Sequence, residues 1–171
     1  SIQSPDDAKA VYSDGALEVA IKARDAGKVR YIGFTGHVNP KGHAEVFNGD
    51  FDWATIQMPL SVMDHHYLSF AKDILPLAQA RDMGVIAMKT LGGDAGFIRD
   101  GVLTAAEALR YSMGLPVSTV VCGMFSMEHL SENIATAKAW TAYEPAELDA
   151  LFAKSAEYGD GRYERFKVEL A

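Results

Sequence analysis

The organisation of this chain follows from one segment, Gly84-Val85-Ile86-Ala87-Met88-Lys89-Thr90-Leu91-Gly92-Gly93. Val85 to Lys89 predict a buried strand, and the two glycines let the backbone turn and approach whatever lies above the strand end. Three other apolar runs end similarly and lead into helix-like patterns: Val29–Thr35, Ala54–Pro59 and Ser118–Gly123. Because parallel strands carry their following loops to one face, functional residues are expected at that face.

Helical patterns fill the intervals between the predicted strands. Thr104 and Glu107 have the spacing of a capping box, and Ser4-Pro5-Asp6-Asp7 is a turn or helix-start signal. Pro76 should kink the helix around it or mark a helix start. The predicted helices are Ala16–Ala26, Gly42–Phe47, Leu68–Asp82, Thr104–Met113, Ser126–Trp140 and Glu144–Tyr158. Alternating strands and helices predict an α/β fold in which helices cover a parallel sheet.

Length and composition limit the class of protein. With 171 residues and 49% hydrophobic content, one domain over 1–171 is predicted, with a charged and aromatic tail over 159–171. The net charge of −7 argues against a nucleic-acid partner, and no apolar run approaches the roughly 20 residues that cross a membrane. The single cysteine, Cys122, excludes an intrachain disulfide and favours a reducing, cytoplasmic location. The start at Ser1 rather than Met predicts a piece of a longer product.

Four features occur together in one order along the chain. They are Gly27–Thr35 (GKVRYIGFT), Gln57, Met88–Gly93 (MKTLGG), and Gly123 through Glu132-Asn133-Ile134. In this order the chain resembles the C-terminal half of an aldo-keto reductase, over roughly Gly15 to Trp140. The resemblance implies strands five to eight of a TIM (β/α)8 barrel that uses a nicotinamide cofactor, with the site at the carboxyl ends of the strands.

The resemblance implies a nicotinamide subsite at three strand ends. Thr35 and Gln57 match residues that hydrogen-bond the carboxamide, although Gly36 replaces the family's usual Asn. Met88 lies where many relatives stack an aromatic ring on the nicotinamide, and a thioether can also pack on a ring face. The alternatives remain a structural strand-end threonine and a buried glutamine with ordinary core partners.

The resemblance also implies contacts to the rest of the dinucleotide. Lys89 and the backbone N–H groups of Leu91 to Gly93 would contact the pyrophosphate, or else Lys89 reaches solvent or pairs with an acid. Ser126 begins a helix whose N-terminus suits a phosphate group. His129 stands where relatives usually have Arg or Gln, at the position that a 2′-phosphate would occupy. Glu132 and Asn133 match the pair of residues that contacts adenine. The resemblance implies NADP(H) rather than NAD(H), although a histidine is a weaker partner for a 2′-phosphate than an arginine, so NAD(H) remains the alternative.

No catalytic residue is assigned to this chain. The family's catalytic Asp, Tyr, Lys and His lie on the first four strands, which would precede Ser1. Several polar residues follow the second predicted strand: Asp64, His65, His66, Tyr67 and Lys72. They are interpreted as a polar loop near the substrate mouth, and no metal site is assigned to them. His37 and His43 are expected to face solvent. Tyr111 and Trp140 fit the core faces of helices.

Two functions are consistent with these residues. The first is the cofactor-binding half of an NAD(P)H-dependent reductase that converts an aldehyde or ketone to an alcohol and is inactive alone. The alternative is a non-catalytic nucleotide-binding or assembly module that uses its open sheet edges for partners. The expected partners are a small carbonyl substrate and either the N-terminal half of the barrel or a second copy of the chain. The sequence does not define the carbonyl substrate or the oligomeric state.

Overall fold

A computed structural model of the chain describes residues 1–170, which contain one four-stranded parallel sheet. The strands are β1 (Gly33–Thr35), β2 (Thr55–Pro59), β3 (Gly84–Met88) and β4 (Thr119–Val120), and they neighbour one another in chain order. Every pair is parallel. The predicted α/β fold with parallel strand–helix repeats is therefore confirmed.

Helices and short 3₁₀ turns connect the strands. The helices within 1–170 are α1 (Pro5–Ser13), α2 (Ala16–Asp25), α3 (Pro40–Val46), α4 (Phe70–Asp73), α5 (Leu75–Gln79), α6 (Gly96–Arg99), α7 (Ala105–Gly114), α8 (Met127–Lys138) and α9 (Pro145–Ser155), with 3₁₀ turns at Met63–His65 and Ala156–Tyr158. None of these helices is both long enough and apolar enough to cross a membrane.

Caps define several helix ends that the sequence predicted. Thr104 and Glu107 form the capping box of α7, and Ser4 forms another with Asp7 at α1. The predicted helix over 68–82 is instead two short helices. They meet at Ile74, whose φ is −114°, because Pro76 occupies the first turn of α5. Pro76 therefore marks a helix start.

Some predicted boundaries were wrong. Both outer strands are shorter than their apolar runs. Single backbone hydrogen bonds extend the pairing to Ile32, just before β1, and to Val121, just after β4. Lys89 was predicted to end the third strand, but its φ of +56° places it outside the strand. The short helix α6 lies in a segment that was predicted to be a loop.

The two faces of the sheet have different environments. On one face, helices and loops cover the apolar side chains of Phe34, Ile56, Met58, Val85 and Ala87. The opposite face carries the alternate residues of each strand. Gln57 and Ile86 are only partly covered there, whereas Pro59 and Met88, at the strand ends, are buried. A second apolar cluster, around Phe97, Tyr111 and Leu151, lies between α6, α7 and α9.

Candidate functional site

The partly covered face of the sheet brings together the three residues of the predicted nicotinamide subsite. Thr35 of β1 is directly opposite Gln57 of β2, so both side chains point to this face. Met88 lies on the same face of β3, and the Gln57 amide nitrogen is 3.4 Å from its sulfur. A thioether is a weak acceptor, and the Gln57 amide has no other hydrogen-bond partner within residues 1–170. It therefore keeps free capacity to bind a ligand amide.

Lys89 leaves the end of β3 in an unusual backbone conformation. Its φ of +56° lies in the left-handed region, which is uncommon for residues other than glycine. A 2.7 Å hydrogen bond from the Gly92 N–H to the Lys89 carbonyl holds this turn, and Gly92 itself has a φ of +73°. Within residues 1–170, Lys89 makes no ion pair. An unpaired ammonium group at a strand end is suited to an anionic ligand.

A series of contacts connects the end of β3 to α8. The Thr90 hydroxyl donates to the Val121 carbonyl over 3.3 Å, and the Asn133 amide nitrogen is 3.5 Å from the Cys122 sulfur. Burial raises the pKa of the Cys122 thiol, so it stays protonated near neutral pH. Asn133 is thereby held beside the end of β4, on the side of α8 that faces the sheet.

The beginning of α8 is capped by its own side chains. The Ser126 hydroxyl accepts from the His129 N–H over 3.1 Å, and the His129 ring accepts from the Phe125 N–H over 3.4 Å. Met127 and Glu128, in the first turn, keep N–H groups that no residue of 1–170 binds. Glu132 is exposed and has no side-chain partner within the same range.

The C-terminal tail covers the loop after β3, which the sequence did not predict. The Gly93 N–H, assigned to a phosphate, donates to the Tyr163 carbonyl over 3.4 Å. The ring of Phe166 lies against Gly93, and its centre is 5.4 Å from the Lys89 ammonium group and 5.6 Å from the His37 ring. Leu91 of the same loop is half-buried.

Asp64, which was interpreted as part of a polar loop near the substrate mouth, does not face solvent. It is fully buried, and it accepts from the N–H groups of Phe70 and Ala71 at the start of α4. Its other partners are the Ser69 hydroxyl, over 3.2 Å, and the buried ammonium group of Lys167, at 2.5 Å. Asp64 therefore has a structural role, in which it caps a helix and anchors the tail.

Two other side-chain expectations also fail. His43 was expected to face solvent but is fully buried in α3, between the rings of Phe34 and Phe70, and burial lowers its pKa to about 4. Trp140 was expected in a core, but 40% of its surface is exposed. Tyr111 is buried as predicted.

The two histidines that follow Asp64 contact side chains of the C-terminal part of the chain. His65 stacks on Phe152 with ring centres 3.6 Å apart, and His66 is hydrogen-bonded to Ser155 over 2.9 Å. Burial, followed by the charge of Lys72, lowers the pKa of both rings, to about 4 for His65. No group of three metal-ligating side chains occurs within residues 1–170.

Comparisons with known proteins identify the family of the chain. A family model described as the aldo/keto reductase family matches residues 6–107, and the chain belongs to that family. A search among curated proteins finds no match. The carboxyl ends of these strands therefore correspond to the face at which such barrels carry their sites.

Solved structures share the fold. An aldo-keto reductase from Klebsiella pneumoniae in complex with NADPH has a TM-score of 0.62 and 21% identity over 91% of this chain and 57% of its own. An aldo/keto reductase from the same organism, in complex with NADP and acetate, has a TM-score of 0.61 and 19% identity over 86% and 54%. A thermostable aldo-keto reductase in complex with epalrestat has a TM-score of 0.53 and 14% identity over 81% and 53%. The chain thus spans little more than half the length of these proteins.

Proposed function

We propose that this chain is the cofactor-binding half of an NAD(P)H-dependent reductase that converts an aldehyde or ketone to an alcohol. Membership of the family supports oxidoreduction in general. The observation that carries the finer proposal is the alignment of Thr35, Gln57 and Met88 on neighbouring strand ends, on the partly covered face of the sheet.

The residues at these strand ends fit a nicotinamide dinucleotide. The Gln57 amide has unused hydrogen-bonding capacity, and the Lys89 ammonium group has no acidic partner within residues 1–170. Asn133 faces the end of β4, and the first turn of α8 offers free N–H groups to an anion. The Gln57 amide, the Lys89 ammonium group and the N-terminus of α8 therefore occur in the same order as the carboxamide, the phosphates and the adenosine of such a cofactor.

Each residue has a distinct task in this proposal. Thr35 and Gln57 hold the carboxamide and so fix which face of the ring meets the substrate, while Met88 packs against the ring. When bound, the reduced nicotinamide supplies a hydride to the carbonyl carbon. The general acid that protonates the carbonyl oxygen is assigned to the first four strands of the full barrel, so this chain alone is expected to be inactive.

NADP(H) is the preferred cofactor in this proposal. Two of the similar solved structures are complexes with NADPH or NADP. We assign His129, at the start of α8, to a 2′-phosphate, and Glu132 and Asn133 to adenine. The proposed location is the cytoplasm, on the grounds of the single cysteine.

The open edges of the sheet support the proposed macromolecular partner. Tyr31, beyond the β1 edge, is 71% exposed, and Phe125, after β4, is 95% exposed. We propose that these edges pair with the N-terminal half of the barrel or with a second copy of the chain. The non-catalytic assembly module is the second candidate function, because it uses the same edges.

Cofactor binding to the 171-residue chain tests the nucleotide site. We expect Gln57→Leu to weaken NADPH binding about tenfold, as measured by calorimetry, since it removes the amide that meets the carboxamide. Gln79→Leu, at the exposed end of α5, is the matched control and should bind like the wild type. Equal binding by both variants would contradict the site.

Turnover tests the division of labour. The chain should bind NADPH without oxidising it in the presence of a generic aldehyde. Turnover by the chain alone would overturn the assignment of the acid to another part of the barrel. Absence of NADPH binding would overturn the nucleotide site itself.

A further inference from the structure

The C-terminal segment Tyr163–Val168, which we call the strap, crosses three successive loops at the carboxyl ends of the strands. At one end, the Val168 N–H donates to the Val38 carbonyl over 3.0 Å, and the Asn39 amide donates to the Val168 carbonyl over 2.8 Å. At the other end, the Tyr163 carbonyl accepts from the Gly93 N–H. The strap therefore joins the loop after β1 to the loop after β3.

A buried charged cluster anchors the middle of the strap. The ammonium group of Lys167 lies 2.5 Å from Asp64 Oδ1, 2.8 Å from Glu164 Oε2 and 2.8 Å from the Tyr67 carbonyl. The side chains of Asp64 and Lys167 are 0% exposed, and that of Glu164 is 1% exposed. Two carboxylates and one ammonium group leave the ionised cluster with one uncompensated negative charge.

The two carboxylates are not equally stabilised. Asp64 accepts from two backbone N–H groups and from the Ser69 hydroxyl, besides Lys167. Glu164 accepts only the Ser61 hydroxyl, over 2.8 Å, and its Oε2 meets only Lys167 within residues 1–170. A proton that neutralises the cluster is therefore expected to reside on Glu164.

The other groups around the cluster do not compensate its charge. Tyr111, from α7, feels both carboxylates, and burial with those charges raises the pKa of its hydroxyl, so it remains neutral. The uncharged ring of Phe70 lies 5.7 Å from the Lys167 ammonium group. Burial raises the pKa of Glu164 and of Asp64, although Lys167 opposes that shift in both.

We propose that the strap is a proton-controlled cover of the strand ends. The strap closes when the cluster of Asp64, Glu164 and Lys167 holds one proton, and it loosens when the cluster loses that proton. Opening releases Glu164 to water, where it ionises readily. Because the closed state binds the proton more tightly than the open state, closure is favoured at low pH and is lost as the pH rises.

Opening has a defined consequence at the strand ends. It frees the Gly93 N–H from the Tyr163 carbonyl and moves the Phe166 ring from Lys89 and His37. The groups uncovered are a backbone donor, an unpaired ammonium group and an imidazole. The strap thus controls access to cationic and donor groups at the ends of β1 and β3, and this inference holds whether or not the ligand is a dinucleotide.

Amide hydrogen exchange of the full chain between pH 5.5 and 8.5, without any ligand, tests the proposal. After correction for intrinsic exchange, protection of the Val168 and Gly93 amides should fall about tenfold for each pH unit across the titration. Protection of the Gly84 amide, which donates to the Ala54 carbonyl at the opposite end of the strands, should stay constant.

Glu164→Gln is the informative variant, because it removes the excess charge and keeps an acceptor for Ser61. Its Val168 and Gly93 amides should remain protected throughout the pH range, above the wild type at pH 8.5. Glu169→Gln removes the same charge from an exposed position of the tail and should behave as the wild type.

Two results would overturn the proposal. One is strap protection in the wild type that does not change with pH, a measurement that needs no variant to fold. The other is a pH dependence in Glu164→Gln equal to that of the wild type. Since no cofactor is used, neither result bears on the proposed reductase function.

Discussion

Two regions of the molecule use charged side chains to hold its C-terminal part, and they differ in burial. In the first region, Glu164 and Lys167 of the strap and Asp64 beneath it are excluded from water. Between α7 and α9, Lys154 pairs with Glu107 over 3.0 Å, but the two side chains are 48% and 33% exposed. Similar contact distances thus occur in a buried and in a hydrated setting.

The difference determines what each contact contributes. In the buried region, removal of one partner leaves a charge without water or counter-ion, so the penalty is large. In the hydrated region, water replaces a lost partner, and an ion pair contributes little. Distance alone would rank the two regions as equals, whereas burial predicts that only the first is sensitive to mutation and pH.

The largest effect is expected for Lys167→Met. This variant leaves Asp64 and Glu164 buried without their cation, and we expect a loss of about 3–5 kcal/mol in the free energy of unfolding. Urea denaturation at pH 7 measures it. A loss below about 1 kcal/mol would mean that water already reaches both carboxylates, and the contrast between the two regions would disappear.

His43 tests the same contrast through pH. In the unfolded chain a histidine binds a proton near pH 6.5, but the buried ring does so only at about pH 4. Between these values the unfolded state binds more protons, so stability falls as the pH falls. The shift corresponds to about 3 kcal/mol, which His43→Leu should remove from the stability lost between pH 7 and pH 4.

The control for His43 is an exposed histidine. His129 lies on the surface at the start of α8. His129→Leu should leave the loss of stability on acidification as in the wild type. If His43→Leu and His129→Leu give parallel curves of unfolding free energy against pH, burial is not the cause of the acid sensitivity.

The parallel sheet and the strand-end residues could be predicted because their signals are local. The apolar run Ala54–Pro59 defines β2, and the run before Gly92-Gly93 defines β3. The alternation of a strand then places Gln57 on one face once the start of the strand is known. Thr104 and Glu107 predict the start of α7, because they form a capping box within four consecutive residues. Such features do not depend on distant parts of the chain.

The strap and its cluster could not be predicted because their partners are far apart in sequence. Asp64 and Lys167 are 103 positions apart, and nothing near Asp64 distinguishes it from the polar residues that follow it. His43 was misjudged for the same reason, since Phe70 reaches it from another helix. The charged and aromatic composition of the tail was the available signal, but it did not indicate that Glu164 and Lys167 of the strap would be buried against Asp64.

The smallest effect is expected for Lys154→Met, which sharpens the comparison from its hydrated side. Glu107 keeps its capping contacts with Thr104, so only the ion pair is lost. We expect a loss of about 0.2–1 kcal/mol in the free energy of unfolding. This loss should be smaller in roughly 0.5–1 M salt, because salt screens exposed ion pairs. The effect of Lys167→Met should persist at that salt concentration, since its cluster is closed to ions. Equal salt sensitivity of the two variants would mean that the strap does not exclude solvent.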